Sequence, residues 1–120
     1  MTKIIIGLSV GVALFTGCVP TAQIEAVNTK TNDSLKGEYV NPSAITITGK
    51  HSINFGNYKG TCNVYRASTS MGYKYGVSNF RGICILNDGT ETIKCKTTNS
   101  AIDGTLTSGE CGKKFVLMAD

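Results

Sequence analysis

The sequence predicts an all-β domain, a small antiparallel sandwich or barrel of about six to eight short strands, after a cleaved leader and a flexible tether. Three observations carry this. Apolar and polar residues alternate over short runs, while no stretch after residue 36 keeps a helical period. Turn-forming Gly, Asn, Asp and Ser punctuate those runs at roughly 8–12-residue intervals. Five cysteines occur in 120 residues, four of them after residue 60, and an exported chain of this size is expected to brace its sheet with disulfides.

The leader comes first. Lys3 gives one positive charge, Ile4 to Phe15 is an uncharged apolar run, and Thr16-Gly17 form a small-residue cleavage site before Cys18. This is the three-part layout of a secretory signal peptide. A spanning helix takes about 20 apolar residues, and here polar Thr21, Gln23 and Glu25 follow too soon. The segment Leu14-Phe15-Thr16-Gly17-Cys18, with Phe15 where Leu is usual, resembles the lipobox of bacterial lipoprotein precursors. The resemblance implies cleavage before Cys18 and acylation of its sulfur and amino group. Each buried methylene contributes about 0.8 kcal/mol, so the two or three chains of this class make attachment permanent. Val19, where Asp would favour inner-membrane retention, implies the outer membrane. The expected organisation is a signal peptide over 1–17, a lipidated Cys18 with a tether over 18–36, and a β domain over 37–120.

Loss of residues 1–17 removes Lys3 alone among the charges, so the 12 Lys and Arg against 8 Asp and Glu of the precursor become a balance of +3. That excess is too weak and dispersed for a nucleic-acid footprint. Assigning Cys18 to lipid leaves Cys62, Cys84, Cys95 and Cys111, an even set with three possible pairings. No C-x-x-C occurs, so neither a zinc site nor a thioredoxin-like pair is indicated.

Val19 to Leu35 is rich in Thr, Asn, Ala, Gln and Ser and has no sustained period. It reads as a tether with a reach of roughly 20–25 Å. Gly37 to Val40 opens the domain, and Asn41-Pro42-Ser43 is a turn. Ala44 to Thr48 alternates with Ile45 and Ile47 on one face; His51 to Phe55 alternates with Ile53 and Phe55 inward. Thr61 to Arg66 places Cys62 and Val64 inward, and Ala67 to Gly72 is a loop before a strand over Tyr73 to Val77. Phe80 to Leu86 is the most apolar run, expected to be buried on both faces over Ile83 to Leu86. Asn87-Asp88-Gly89 is the strongest turn, and Thr90 to Lys96 returns from it with Ile93 and Cys95 inward. Ile102 to Leu106 and Lys114 to Met118 are the last strands, with Gly109 to Gly112 as a turn or bulge between them. Gly stands two residues before Cys62, Cys84 and Cys111, which is either chance in a Gly-rich chain or room for a bridging sulfur.

Catalytic chemistry is not indicated. The single histidine, His51, has no nucleophile pattern with it and is expected to be a solvated surface residue. Asp88 and Glu91 flank a turn and read as turn formers rather than as a glycosidase pair. No cofactor motif, calcium loop or metal-ligand spacing is present. Aromatics interleave with cations over residues 58–81, giving one candidate binding surface: Tyr65, Arg66, Ser70, Tyr73, Lys74, Tyr75 and Arg81. Such a mixture can stack on sugars or grip an acidic protein patch; strand alternation alone would instead place its aromatics in the core. Within it, Ser68 to Tyr75 resembles the Ser-rich loop of periplasmic lysozyme inhibitors, which implies insertion of that loop into an acidic hydrolase cleft. The reading is a non-enzymatic envelope lipoprotein, held to the membrane by lipid and binding an envelope protein or glycan. An inhibitor of a cell-wall hydrolase, or a phage or plasmid exclusion lipoprotein, is the alternative.

Overall fold

The computed structural model describes residues 21–41, 47–67 and 79–120. These residues form eight strands: β1 Thr21–Asn28, β2 Ser34–Val40, β3 Gly49–Phe55, β4 Tyr58–Ala67, β5 Asn79–Asn87, β6 Thr92–Asn99, β7 Leu106–Cys111 and β8 Phe115–Ala119. Each pairs antiparallel with the next, and β8 closes on β1. The protein is an all-β up-and-down barrel. A row of paired residues followed round it climbs: Lys50, Asn63, Ile83, Lys96, Glu110, Val116 and Val27 lead to Ser34, far along β2 from Val40, the residue opposite Ser52. That stagger is what a closed barrel of tilted strands requires.

Period-2 alternation decides which residues fill the inside. Ile53 and Phe55, Cys62 and Val64, Cys84 and Leu86, and Ile93 and Cys95 all point inward and are buried, as the sequence predicts. At the end closed by tight turns, Phe55, Tyr58 and Phe115 form an aromatic plug with ring centroids 5.4–5.7 Å apart. Such pairs add about 0.5–1.5 kcal/mol each beyond area burial. Lys114 seals the plug, its Nζ donating to Tyr58 Oη and Glu91 Oε1 at 2.9 Å each. The four cysteines lie on four consecutive strands. Cys62 of β4 bonds Cys84 of β5, and Cys95 of β6 bonds Cys111 of β7. Of the three pairings the sequence leaves open, the barrel joins each cysteine to a partner on the next strand.

The other end of the interior is polar and held by a hydrogen-bond network centred on Asn99. Asn99 Nδ2 donates to Tyr39 Oη at 2.7 Å and to the Gly104 carbonyl at 2.9 Å, while its Oδ1 accepts from Thr97 Oγ1 at 2.6 Å. A register shift between Thr98 and Asn99 pairs Asn99 with Leu106 and leaves Thr107 extra on β7, so the bulge returns Leu106 to the inward face, while Asn99 points in by the unbroken alternation of β6. The connection 100–105 is held by Ser100 N–H to the Thr105 carbonyl, Gly104 N–H to the Ser100 carbonyl, and Asn41 Nδ2 to the Asp103 carbonyl.

Several expectations are corrected. The tether does not extend to residue 36: the barrel begins at Thr21, and β1 and β2 supply buried Ile24, Ala26 and Tyr39. Their alternation is muted in the sequence because several inward positions, Ala22, Ala26 and Gly37, carry little or no side chain. At Gly37 that absence is required, since a Cβ there would overlap the Asn54 carbonyl oxygen. Ile83 to Leu86 is buried on one face only, because a barrel has a single interior. Ile102 belongs to a turn rather than a strand, and β7 runs through Glu110 and Cys111 before turning at Gly112. The strand after Asn87-Asp88-Gly89 begins at Thr92, because Asp88 Oδ1 accepts the N–H groups of Thr90 and Glu91 and keeps them in the turn. Ile47 and Thr48 precede β3; the rest of the strand expected over 44–48, and the one over 73–77, lie outside the described residues. The glycines two before each cysteine do not lodge sulfur: a Cβ at Gly60 would strike the Ile85 carbonyl, at Gly82 Thr97 Oγ1, and at Gly109 the Lys96 carbonyl.

Candidate functional site: the outer wall over β4 to β8

The strands that place Cys62, Cys84 and Cys95 inside necessarily place their alternate residues outside. On β5 these are Arg81, Ile83 and Ile85; on β6, Lys94, Lys96 and Thr98. Register sets their neighbours. Tyr65 stands opposite Arg81, Asn63 opposite Ile83, Ile83 opposite Lys96, and Ile85 opposite Lys94. Ile83 is 36 % and Ile85 50 % exposed. A groove of about 580 Å³ crosses this wall, lined by Tyr65, Arg81, Ile83, Lys96, Glu110 and Val116.

The electrostatics of the wall differ from those elsewhere on the barrel. Lys36 on β2 bonds Asp120 at 3.2 Å, with Glu25 at 3.6 Å, and its pKa is raised chiefly by the Asp120 hydrogen bond. Lys114 is likewise raised, by Tyr58 and then Glu91. Arg81, Lys94 and Lys96, by contrast, form no ion pair among the described residues, although Lys96 stands opposite Glu110. A groove with apolar ridges, open cations and backbone between them has the composition of a contact surface.

Of the residues the sequence singles out for binding, Tyr65 and Arg81 are brought side by side on this wall. Arg66 lies with its guanidinium carbon 5.4 Å from the centroid of the Phe80 ring. Ser70, Tyr73, Lys74 and Tyr75, and with them the inhibitor-like loop, lie outside the described residues, as does Cys18. Sequence reasoning missed Ile83, Ile85, Lys94 and Lys96. The signal was present: with Cys84 paired inward, strict alternation over Phe80 to Asn87 sends both isoleucines to the surface.

His51 is not a surface residue. It faces inward and is fully buried, its ring 5.3 Å from that of Tyr39. Nε2 lies 2.7 Å from the Ile47 carbonyl, which fixes the proton there, and Nδ1 has no partner among the described residues. Burial lowers its pKa, only partly opposed by the Ile47 carbonyl, so the ring is neutral. Burial also raises the Tyr39 hydroxyl far above its ordinary value. Asp88 is held low by the N–H groups of Glu91 and Thr90, the behaviour of a turn former. Glu91 is engaged by Lys114, so the two carboxylates flanking the turn have separate partners.

The barrel has the reverse polarity of a membrane-spanning one, which is apolar outside; here the apolar residues fill the interior and charges stud the wall. Fold and site together define a small disulfide-braced up-and-down β-barrel with a cationic, partly apolar outer wall. No family model matches the chain, and no curated protein or solved structure matches it either.

Proposed function

We propose that this is a non-enzymatic protein of the bacterial cell envelope, lipid-anchored at Cys18 to the outer membrane, whose wall over β4 to β6 binds an envelope protein or glycan. The observation that carries the binding reading is the pair of exposed isoleucines, Ile83 and Ile85, set beside three cations, Arg81, Lys94 and Lys96, that form no ion pair among the described residues. A partner with acidic groups around an apolar centre would bury the isoleucines and pair the cations. The leader supports anchoring, and so does the pairing of the other four cysteines, which leaves Cys18 no cysteine of its own chain to bond. The inward, neutral His51 supports a role other than catalysis.

The test is site-specific photo-cross-linking in cells, with the photoreactive residue at Ile85 and, as control, at Glu38 on the opposite wall. A discrete product from Ile85 and none from Glu38 is expected. Equal or absent products at both positions would remove the binding reading. Incorporation of labelled palmitate, abolished by Cys18→Ala, tests the anchor separately.

A further inference from the structure

The anchoring reading, combined with where β1 begins, fixes how the barrel meets the membrane. Only Val19 and Pro20 lie between Cys18 and Thr21, the first residue of the barrel. Three peptide steps span no more than about 11 Å. A leash that short cannot hold a domain clear of the headgroups. It tethers one particular end of it: the end at which β1 starts. In an up-and-down barrel, β2, β4, β6 and β8 finish at that same end and β3, β5 and β7 start there.

The residues displayed at this rim suit a lipid interface. Ile102, in the connection between β6 and β7, is 90 % exposed, the most exposed large hydrophobic residue described. It does not hang loose. Its N–H donates to Ser100 Oγ at 3.1 Å, and the connection around it is tied to β2 through Asn41 and to the interior through Asn99. Tyr65 and Arg66 close β4, and Lys50 lies near the start of β3. Tyrosines and long cations are the side chains that settle at headgroup level, with apolar tips reaching past them.

We infer that the protein stands rim-down on the membrane that holds its lipid, with Ile102 inserted among the headgroups and Tyr65, Arg66 and Lys50 around it. This rests on the anchoring reading. It also orients the proposed binding wall: the part of β5 and β6 carrying Ile85 and Lys94 projects away from the bilayer, where a partner can reach it.

The chain contains no tryptophan, so a single introduced one reports cleanly. Full-length protein matured in bacteria and carrying Ile102→Trp, Ile85→Trp or Lys113→Trp is reconstituted into phosphatidylethanolamine–phosphatidylglycerol vesicles containing lipids brominated near the headgroup. Emission and quenching are read for each, and mass spectrometry reports the state of Cys18. With Cys18 acylated, the tryptophan at position 102 is expected to emit blue-shifted light and to be quenched several-fold more strongly than those at 85 and 113. Equal quenching at all three positions on an acylated protein overturns the orientation and leaves the anchor standing. A bare Cys18 overturns the anchor itself. If position 102 is unquenched in vesicles yet shielded from acrylamide in intact cells, the rim belongs to a protein partner and the membrane inference is wrong.

Discussion

Strands β4, β5 and β6 carry two faces that follow different physical rules. Inward, Cys62, Cys84 and Cys95 share a crowded space with Gly60, Gly82 and Leu86, where an added methyl group meets backbone at Gly60 and the Thr97 hydroxyl at Gly82. Outward, one residue along, Ile83 and Ile85 are exposed, and Lys94 and Lys96 form no ion pair among the described residues. The same backbone therefore has a close-packed face and an open one. If the outer wall is the binding surface proposed above, stability rests on the first and recognition on the second, and the two can be separated by experiment.

The largest expected effect lies at Gly60. A Cβ there would overlap the Ile85 carbonyl oxygen and crowd Leu86 Cα, and backbone cannot rotate away as a side chain can. Gly60→Ala is expected to cost at least about 3 kcal/mol, or to prevent folding, whereas Thr61→Ala beside it should change stability by less than about 0.5 kcal/mol. Urea denaturation of both variants measures the contrast. Similar values for the two would mean that the wall and the interior are not distinct.

The disulfides come next. They close separations of 22 and 16 residues, and removing one such cross-link typically costs about 2–4 kcal/mol through the unfolded chain. The double variant Cys95→Ala/Cys111→Ala is expected to lose about that much and still fold, because the barrel is otherwise closed by hydrogen bonds. A non-reducing peptide map should join Cys62 to Cys84 and Cys95 to Cys111; a Cys84–Cys95 peptide would contradict the strand assignment of the interior.

His51 sharpens the comparison further, because it is the titratable group on the inner face most exposed to changes near neutral pH. Its folded pKa lies below its ordinary value near 6.5. Above that value both folded and unfolded chains carry a neutral ring and stability is full. As the pH falls below it, the unfolded chain takes up the proton first, and stability declines until the folded ring protonates as well. The slope is at most about 1.4 kcal/mol per pH unit. Thermal melts from pH 7 to 5 should show this decline, and His51→Gln should flatten it. Asp88 and Asp103, both held low by backbone N–H groups, respond in more acidic solution and do not blur the window.

What the sequence discloses, and what it hides, follows the same division. Alternation around Ile53, Phe55, Cys62, Val64, Ile93 and Cys95 is written in large side chains, and those strands and their inward faces are legible. β1 and β2 are hard to see because Ala22, Ala26 and Gly37 keep the inward rhythm with little or no apolar bulk, so the segment reads as a tether. His51 reads as a surface residue because a polar side chain at a strand start beside Lys50 suggests solvent, although the alternation that turns Ile53 and Phe55 inward also turns His51 inward, opposite Cys62. Ile83 and Ile85 read as core because an apolar run does not say whether it has one buried face or two. A sheet closed on itself answers that question, and closure is a long-range property that no local window contains.

The smallest effect on stability and the largest on recognition should coincide on the outer wall. Lys94 and Lys96 make no ion pair among the described residues, so Lys94→Glu/Lys96→Glu breaks no ion pair there and should shift stability by less than about 0.5 kcal/mol. Exchanging two positive charges for two negative ones beside Glu110 would nonetheless turn attraction for an acidic partner into repulsion. Photo-cross-linking from Ile85 should then vanish while the melting curve stays in place. Ile85→Ser tests the apolar half of the same surface: it removes exposed area and leaves the charges, so it should weaken the cross-link and leave its salt dependence intact. If the charge reversal instead lowered the melting temperature as far as the loss of a disulfide does, the wall would be part of the fold's support, and the separation between its two faces would fail at the point where recognition has been placed.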